Sequence, residues 1–342
     1  LAGAVATTLG ISIGQLSTDE RARFEELAVF PEDEPVPLAT LAMYWGRSGG
    51  LDEFDTETLC ERLYRLSLVL DFDPTERYVR LHDVVRQFLQ NSLGPRLAAM
   101  HASLVDALMP SSGIWADLPA HQAYGWAWLF HHLEAAGRIE AMLAAAWDLR
   151  YLATKTHRRS TMATEADLLT ACRLAAQAGD GFSVVRLRAL LKGYVQSAHL
   201  LTSCRDATEV LNTLFTRLQH LSVLGPAVDA AVQNLPEPHL SASGFLPDLA
   251  HPALLRTLAD HRGAVLACAI GPEGGQVFTA GHDRVIKVWD ALSGVERQRL
   301  VGHTSWVTGL AVGAQGRLLA SCSTDRRLRL WALPSGELLA VL

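Results

Sequence analysis

Two sets of four residues stand at matching intervals near the C-terminus: His261, Thr279, Asp283 and Trp289, and then His303, Ser321, Asp325 and Trp331. The sets are offset by 42 residues, and within each the steps are 18, 4 and 6. An imidazole, a hydroxyl, a carboxylate and an indole N–H can hydrogen-bond in series, so their chemistry is structural: a buried network that holds only if every member is satisfied. A second candidate is Leu81-His82-Asp83. Imidazole is a compact donor that can meet a phosphate oxygen, and the helix that starts here would add a field favourable to an anion. Asp83 in the first helical turn suits the dipole. A third is His131-His132 beside Trp126 and Trp128. Neighbouring residues face different sides of a helix, so these two read as packing and surface residues and not as ligands of one metal ion. Elsewhere there is no G-x-S-x-G, no phosphate-cradling G-x-x-x-x-G-K-[ST], no H-E-x-x-H and no Cys/His catalytic signature. The segment is expected to perform no chemistry unaided.

The elements that must position the paired sets are short strands. Val265–Ile270, Gln276–Thr279 and Val285–Trp289 alternate in the period of two, with turns at Pro272–Gly275 and Ala291–Gly294. A period of 40–45 with a Gly-His start and a Trp-Asp finish is the signature of WD repeats, four antiparallel strands per propeller blade. Residues 254–342 therefore resemble two blades of a truncated all-β propeller. Asp260 stands where the family has Gly, and Ala332 follows Trp331 where it has Asp. Leu254–Leu258 and Glu337–Leu342 are expected as outer strands. Two blades cannot close a ring, so further repeats are expected beyond Leu342. Residues 235–253, with Pro236, Pro238, Pro247 and Pro252, read as the linker into the propeller.

Residues 19–93 show a different rhythm. Helices are expected over Asp19–Val29, through Leu38 to Trp45, and from Asp55-Thr56 through Leu66. A hairpin (Ser67–Asp71 and Tyr78–Leu81 around Asp73–Glu76) and a last helix, Val84–Leu93, follow. Three helices and a hairpin make a winged helix, an α+β unit. It carries 16 acidic residues against 8 basic, the wrong sign for neutralising phosphates, so nucleic-acid binding is not expected. The runs RFEELAVFPEDEPVP, LDEFD-x-x-x-L and RYVRLHDVVRQFL resemble the winged-helix domain of apoptosome-type signal-transduction ATPases, the NB-ARC or STAND class. In that class a Met/Leu-His-Asp motif sits where the wing enters a helix, and its His reaches the β-phosphate of ADP. The resemblance implies that His82 and Asp83 sense nucleotide held, with Mg, in an ATPase core upstream of Leu1. Residues 1–18 would then be the tail of that core's helical subdomain. No cofactor is expected in the segment itself, and the full-length protein would be a slow ATPase.

Residues 94–234 are rich in Ala and Leu with helical periodicity and no fixed repeat, an all-α region. Helices are expected over Tyr124–Ala136, from Ile139 through Tyr151, from a capping-box-like Thr164–Asp167 to Gly179, and over 182–202, 205–221 and 227–233. Hydrophobic residues make up 49% of the chain and charged residues 19%, a globular balance. The five cysteines lie far apart, as expected of reduced thiols in a cytosolic protein. No stretch has the form of a membrane span or a signal peptide. The function implied is the sensing portion of a STAND-type switch: the propeller binds a protein or ligand, and the full-length protein self-assembles. The alternative is a non-enzymatic WD-repeat scaffold for protein partners.

Overall fold

The computed structural model describes residues 11–32, 34–233 and 253–342. The chain falls into two compact units, Leu1–Tyr194 with Cys204–Leu246, and Val195–Ser203 with Pro247–Leu342. The expected linker 235–253 and the first ten residues of the 1–18 tail lie outside the described residues, Ala253 excepted.

Ser17 starts the helical unit with a capping box. Its Oγ accepts from Glu20 N–H at 3.2 Å and the Glu20 carboxylate accepts from Ser17 N–H at 2.8 Å. Helix α1 (Thr18–Glu26) follows, and the last three residues of the expected helix tighten into a 3-10 turn, Leu27–Val29. Strand β1 (Val36–Pro37) leads into α2 (Leu38–Gly49). Helix α3 (Glu53–Arg65) opens earlier than expected because Asp52 caps it, accepting from Asp55 N–H at 2.8 Å. The hairpin is shorter and later than expected: β2 (Asp71–Asp73) and β3 (Tyr78–Arg80). Leu68 and Val69, expected in its first arm, are instead buried in the core. Asp73 holds the turn by accepting from the N–H groups of Thr75 (2.8 Å) and Glu76 (2.9 Å). Strand β1, not foreseen, completes an antiparallel sheet in the order β1-β3-β2. Pro37 is tolerated there because β1 is an edge.

Helix α4 (Asp83–Leu93) is followed by α5 (Arg96–Leu108), α6 (Ala123–Ala135), α7 (Ile139–Trp147), α8 (Leu149–Arg158) and α9 (Thr161–Gln177). Then come α10 (Gly181–Leu201), α11 (Ala207–Leu218) and α12 (Gly225–Val232). The single helix expected from Ile139 through Tyr151 is broken at Asp148, which caps α8 by accepting from Arg150 N–H at 2.9 Å. Thr164–Asp167 does not start a helix. Ser160 caps α9, accepting from Ala163 N–H at 3.1 Å, and Asp167 lies one and a half turns inside, paired with buried Lys155 and accepting from Tyr151 O–H at 3.2 Å. Packing continues across residue 94: Tyr44 O–H donates to Met100 O at 3.0 Å, and Phe30 meets Tyr124 edge-on at 5.4 Å.

In the second unit each blade is a four-stranded antiparallel sheet of consecutive strands. The first holds β4 (Val265–Ile270), β5 (Gln276–Gly281), β6 (Val285–Asp290) and β7 (Glu296–Val301). The second holds β8 (Val307–Gly313), β9 (Leu318–Ser323), β10 (Leu328–Ala332) and β11 (Leu338–Val341). Alternation sends Phe278, Ala280, Ile286, Val288 and Leu300 of the first sheet against Val307, Leu319 and Trp331 of the second, all buried in one apolar cluster. Leu254–Leu258, expected as an outer strand, forms none.

Candidate functional site

Register explains how the first quartet meets. Thr279 on β5 lies opposite Lys287 on β6, so Thr279, Lys287 and, two residues on, Trp289 share one face. Trp289 Nε1–H donates to Thr279 Oγ1 at 2.7 Å, which engages His261 Nε2 at 2.6 Å, and His261 Nδ1 meets Asp283 Oδ2 at 2.8 Å. An indole can only donate, so the Thr279 hydroxyl spends its hydrogen on His261 Nε2 and the imidazole proton sits on Nδ1, facing the carboxylate. The second quartet repeats the series: Trp331 to Ser321 at 2.9 Å, Ser321 to His303 at 2.8 Å, His303 to Asp325 at 2.9 Å. Asp325 also accepts from the N–H groups of Thr304 (3.1 Å) and Arg327 (3.0 Å). Burial alone would raise the Asp283 and Asp325 carboxyls, but the bonds from His261 and His303 and from the backbone outweigh it and hold both below the ordinary range.

Arg329 Nη1 lies 2.9 Å from His303 Nδ1 and 3.1 Å from Asp325 Oδ2. Both nitrogens carry hydrogen, so both donate to the carboxylate rather than to one another. The equivalent position in the first blade is Lys287, fully buried and paired with Asp260 and, at 3.1 Å, with Glu296. The departure from Gly at 260 thus supplies a buried lysine with a carboxylate. At Gly302 a Cβ would lie 3.0 Å from the Trp331 ring, so a side chain there requires the ring to give by a few tenths of an ångström.

Leu81-His82-Asp83 sits at the junction of β3 and α4. His82, and not Asp83, is the N-cap: its Nδ1 accepts from Val84 N–H at 3.1 Å. The His82 ring is exposed, whereas Oδ1 of Asp83 is buried with no hydrogen-bond partner among the described residues.

His131 is exposed and His132 is fully buried, as expected of a surface and a packing residue. His101 on α5 packs against both rings, and the ligand atoms of all three lie within 4.8 Å of one another. Two rings one residue apart converge because a third, from a crossing helix, sits where both can reach. Nothing in the spacing of helix α6 alone signals this. An apolar cleft of about 420 Å³ beside Arg150 and Arg186 brings together no acid, base and nucleophile; Arg186 stacks on Trp147 at 4.6 Å.

The family described as "WD domain, G-beta repeat" matches residues 252–290 and 294–332. The C-terminal unit carries two WD repeats. Such repeats suggest a protein-interaction scaffold and are typically non-enzymatic. A solved structure titled "Structure of U3-55K" is similar at 25% identity, covering 25% of this chain and 28% of that one, with a TM-score of 0.25. No curated protein matches. No helix among the described residues is long and apolar enough to cross a membrane.

Proposed function

We propose that this chain is the partner-binding and nucleotide-sensing part of a cytosolic STAND-type signalling switch. Its WD repeats engage a protein, and residues 19–93, read as a winged helix, latch ADP held in a core elsewhere in the protein. The observation that carries this reading is the geometry of His82. Because Nδ1 accepts the Val84 N–H, a neutral ring must carry its hydrogen on Nε2. An exposed Nε2–H at the start of a helix is a donor suited to a phosphate oxygen. Asp83, with one buried oxygen still unpartnered, would take a donor from the same nucleotide-binding core. The helix–strand–helix–helix–hairpin–helix order around it supports the reading.

The test uses the full-length protein. His82→Asp retains a helix-capping oxygen but, when ionised, has no hydrogen to donate, whereas His82→Ala loses both cap and donor. Both variants should release ADP faster and self-assemble more without ligand. Unchanged release in both would make His82 a cap only. The second reading, favoured by the matched repeats, is a scaffold that binds no nucleotide; absence of ADP binding to the full-length protein would select it.

A further inference from the structure

We propose that His101, His131 and His132 form a site for one zinc-class divalent ion, bridging helices α5 and α6. The inference is independent of the nucleotide reading.

The three rings form a near-regular triangle. Their centroids are 5.1 Å apart for His101–His132, 5.1 Å for His131–His132 and 5.6 Å for His101–His131. A ring nitrogen about 2.0–2.1 Å from zinc places its centroid roughly 3 Å from the metal, and a tetrahedral angle then separates two centroids by about 5 Å. The observed triangle therefore has the size of three imidazoles around one ion. Nδ1 of His101 and Nδ1 of His132 already face each other at 2.9 Å, slightly closer than the roughly 3.4 Å of two tetrahedral ligands.

The surroundings supply what such a site needs. His132 is fully buried, and its other nitrogen, Nε2, lies 2.7 Å from Tyr124 Oη. Donation from Nε2–H to that oxygen leaves the Nδ1 lone pair aimed at the centre of the triangle, the outer-shell arrangement that orients metal-ligating histidines. Phe30 packs edge-on against Tyr124 at 5.4 Å and against His132 at 6.4 Å, fixing both rings. His131 is exposed and gives the ion a way in. Three protein ligands leave a fourth position for water on that side. Nitrogen-only ligation favours zinc, or cobalt and nickel in its place, over calcium or magnesium.

Without an ion the same atoms make a closed hydrogen-bond chain. Tyr124 O–H then donates to His132 Nε2, and His132 Nδ1–H to His101 Nδ1. The two states differ by one tautomer, and cobalt binding separates them. Metal-free protein titrated with Co²⁺ should develop the visible d–d absorption of a four-coordinate site, saturating at one equivalent and bleached by Zn²⁺. His131→Ala, at an exposed position that leaves the buried pair in place, should abolish the band while retaining the far-UV circular dichroism of the wild type. Zn²⁺ should raise the melting temperature of the wild type and not of the variant. Absence of the band in the wild type, or an undiminished band in His131→Ala, would overturn the proposal and leave the trio as hydrogen-bonded packing.

Discussion

Asp325→Ala removes the acceptor on which the second blade's quartet converges. Asp325 takes hydrogens from His303 Nδ1 (2.9 Å), Thr304 N (3.1 Å), Arg327 N (3.0 Å) and Arg329 Nη1 (3.1 Å). Two of these donors, on His303 and Arg329, belong to buried residues. Stranding a buried donor costs about 1–3 kcal/mol, so the two together should cost the variant roughly 2–6 kcal/mol of local stability. The exposed Thr304 contributes little. Hydrogen exchange is the direct assay: the amides of Thr304 and Arg327 should lose protection while those of helices α1–α9 keep theirs. The pH dependence has a defined sign. A carboxyl held below its ordinary value contributes stability fully above about pH 4, and that contribution drains away as pH falls toward the depressed value. Wild-type protection at Thr304 should fall in that acid window and the variant's should not. Unchanged protection in Asp325→Ala at pH 7 would refute the network as a determinant of the blade.

Three further outcomes are expected. Glu26 is buried beside Arg23, and burial pushes its carboxyl up from 4.5 to about 7; the folded state then holds the extra proton, so stability falls as pH rises between those values, by at most about 3 kcal/mol. Glu26→Gln should flatten that slope in pH-dependent denaturation. Asp167→Asn leaves buried Lys155 without its carboxylate and should destabilise the helical unit by about 3–5 kcal/mol, whereas the double change Lys155→Met with Asp167→Leu should cost little; equal losses would contradict this. Asp260→Ala should weaken the first blade by roughly 1–3 kcal/mol, and combining it with Lys287→Met should recover part of the loss in a double-mutant cycle.

Repeating strands are legible because side chains alternate and the ladder fixes who faces whom. The same His-to-Asp interval recurs in both copies of the 42-residue repeat, which points to His261 with Asp283 and His303 with Asp325. Helix boundaries were harder. Thr164–Asp167 has the composition of a helix start, yet Ser160 caps four residues earlier and Asp167 is drawn inward by Lys155, a partner 12 positions away. Asp148 splits one periodic run into two helices because its carboxylate accepts the Arg150 N–H. The approach of His101 to His131 and His132 is not legible for the same kind of reason: periodicity within one helix says nothing about what a crossing helix places against it. Strand β1 is only two residues long, too short to show any alternation.

The two blades balance their inner cation differently, and this limits how their coding sequence can be shuffled. Repeats of equal length invite unequal crossover. An exchange between positions 260 and 287 of one repeat and 302 and 329 of the other would join Gly to the lysine, leaving Glu296 as its one neighbouring carboxylate, or an aspartate to the arginine. The second product also crowds its indole, since a Cβ at 302 would lie 3.0 Å from the Trp331 ring and the ring must give way. Crossovers that fall outside this interval carry each cation with its own solution. The blades are interchangeable as wholes and not as halves.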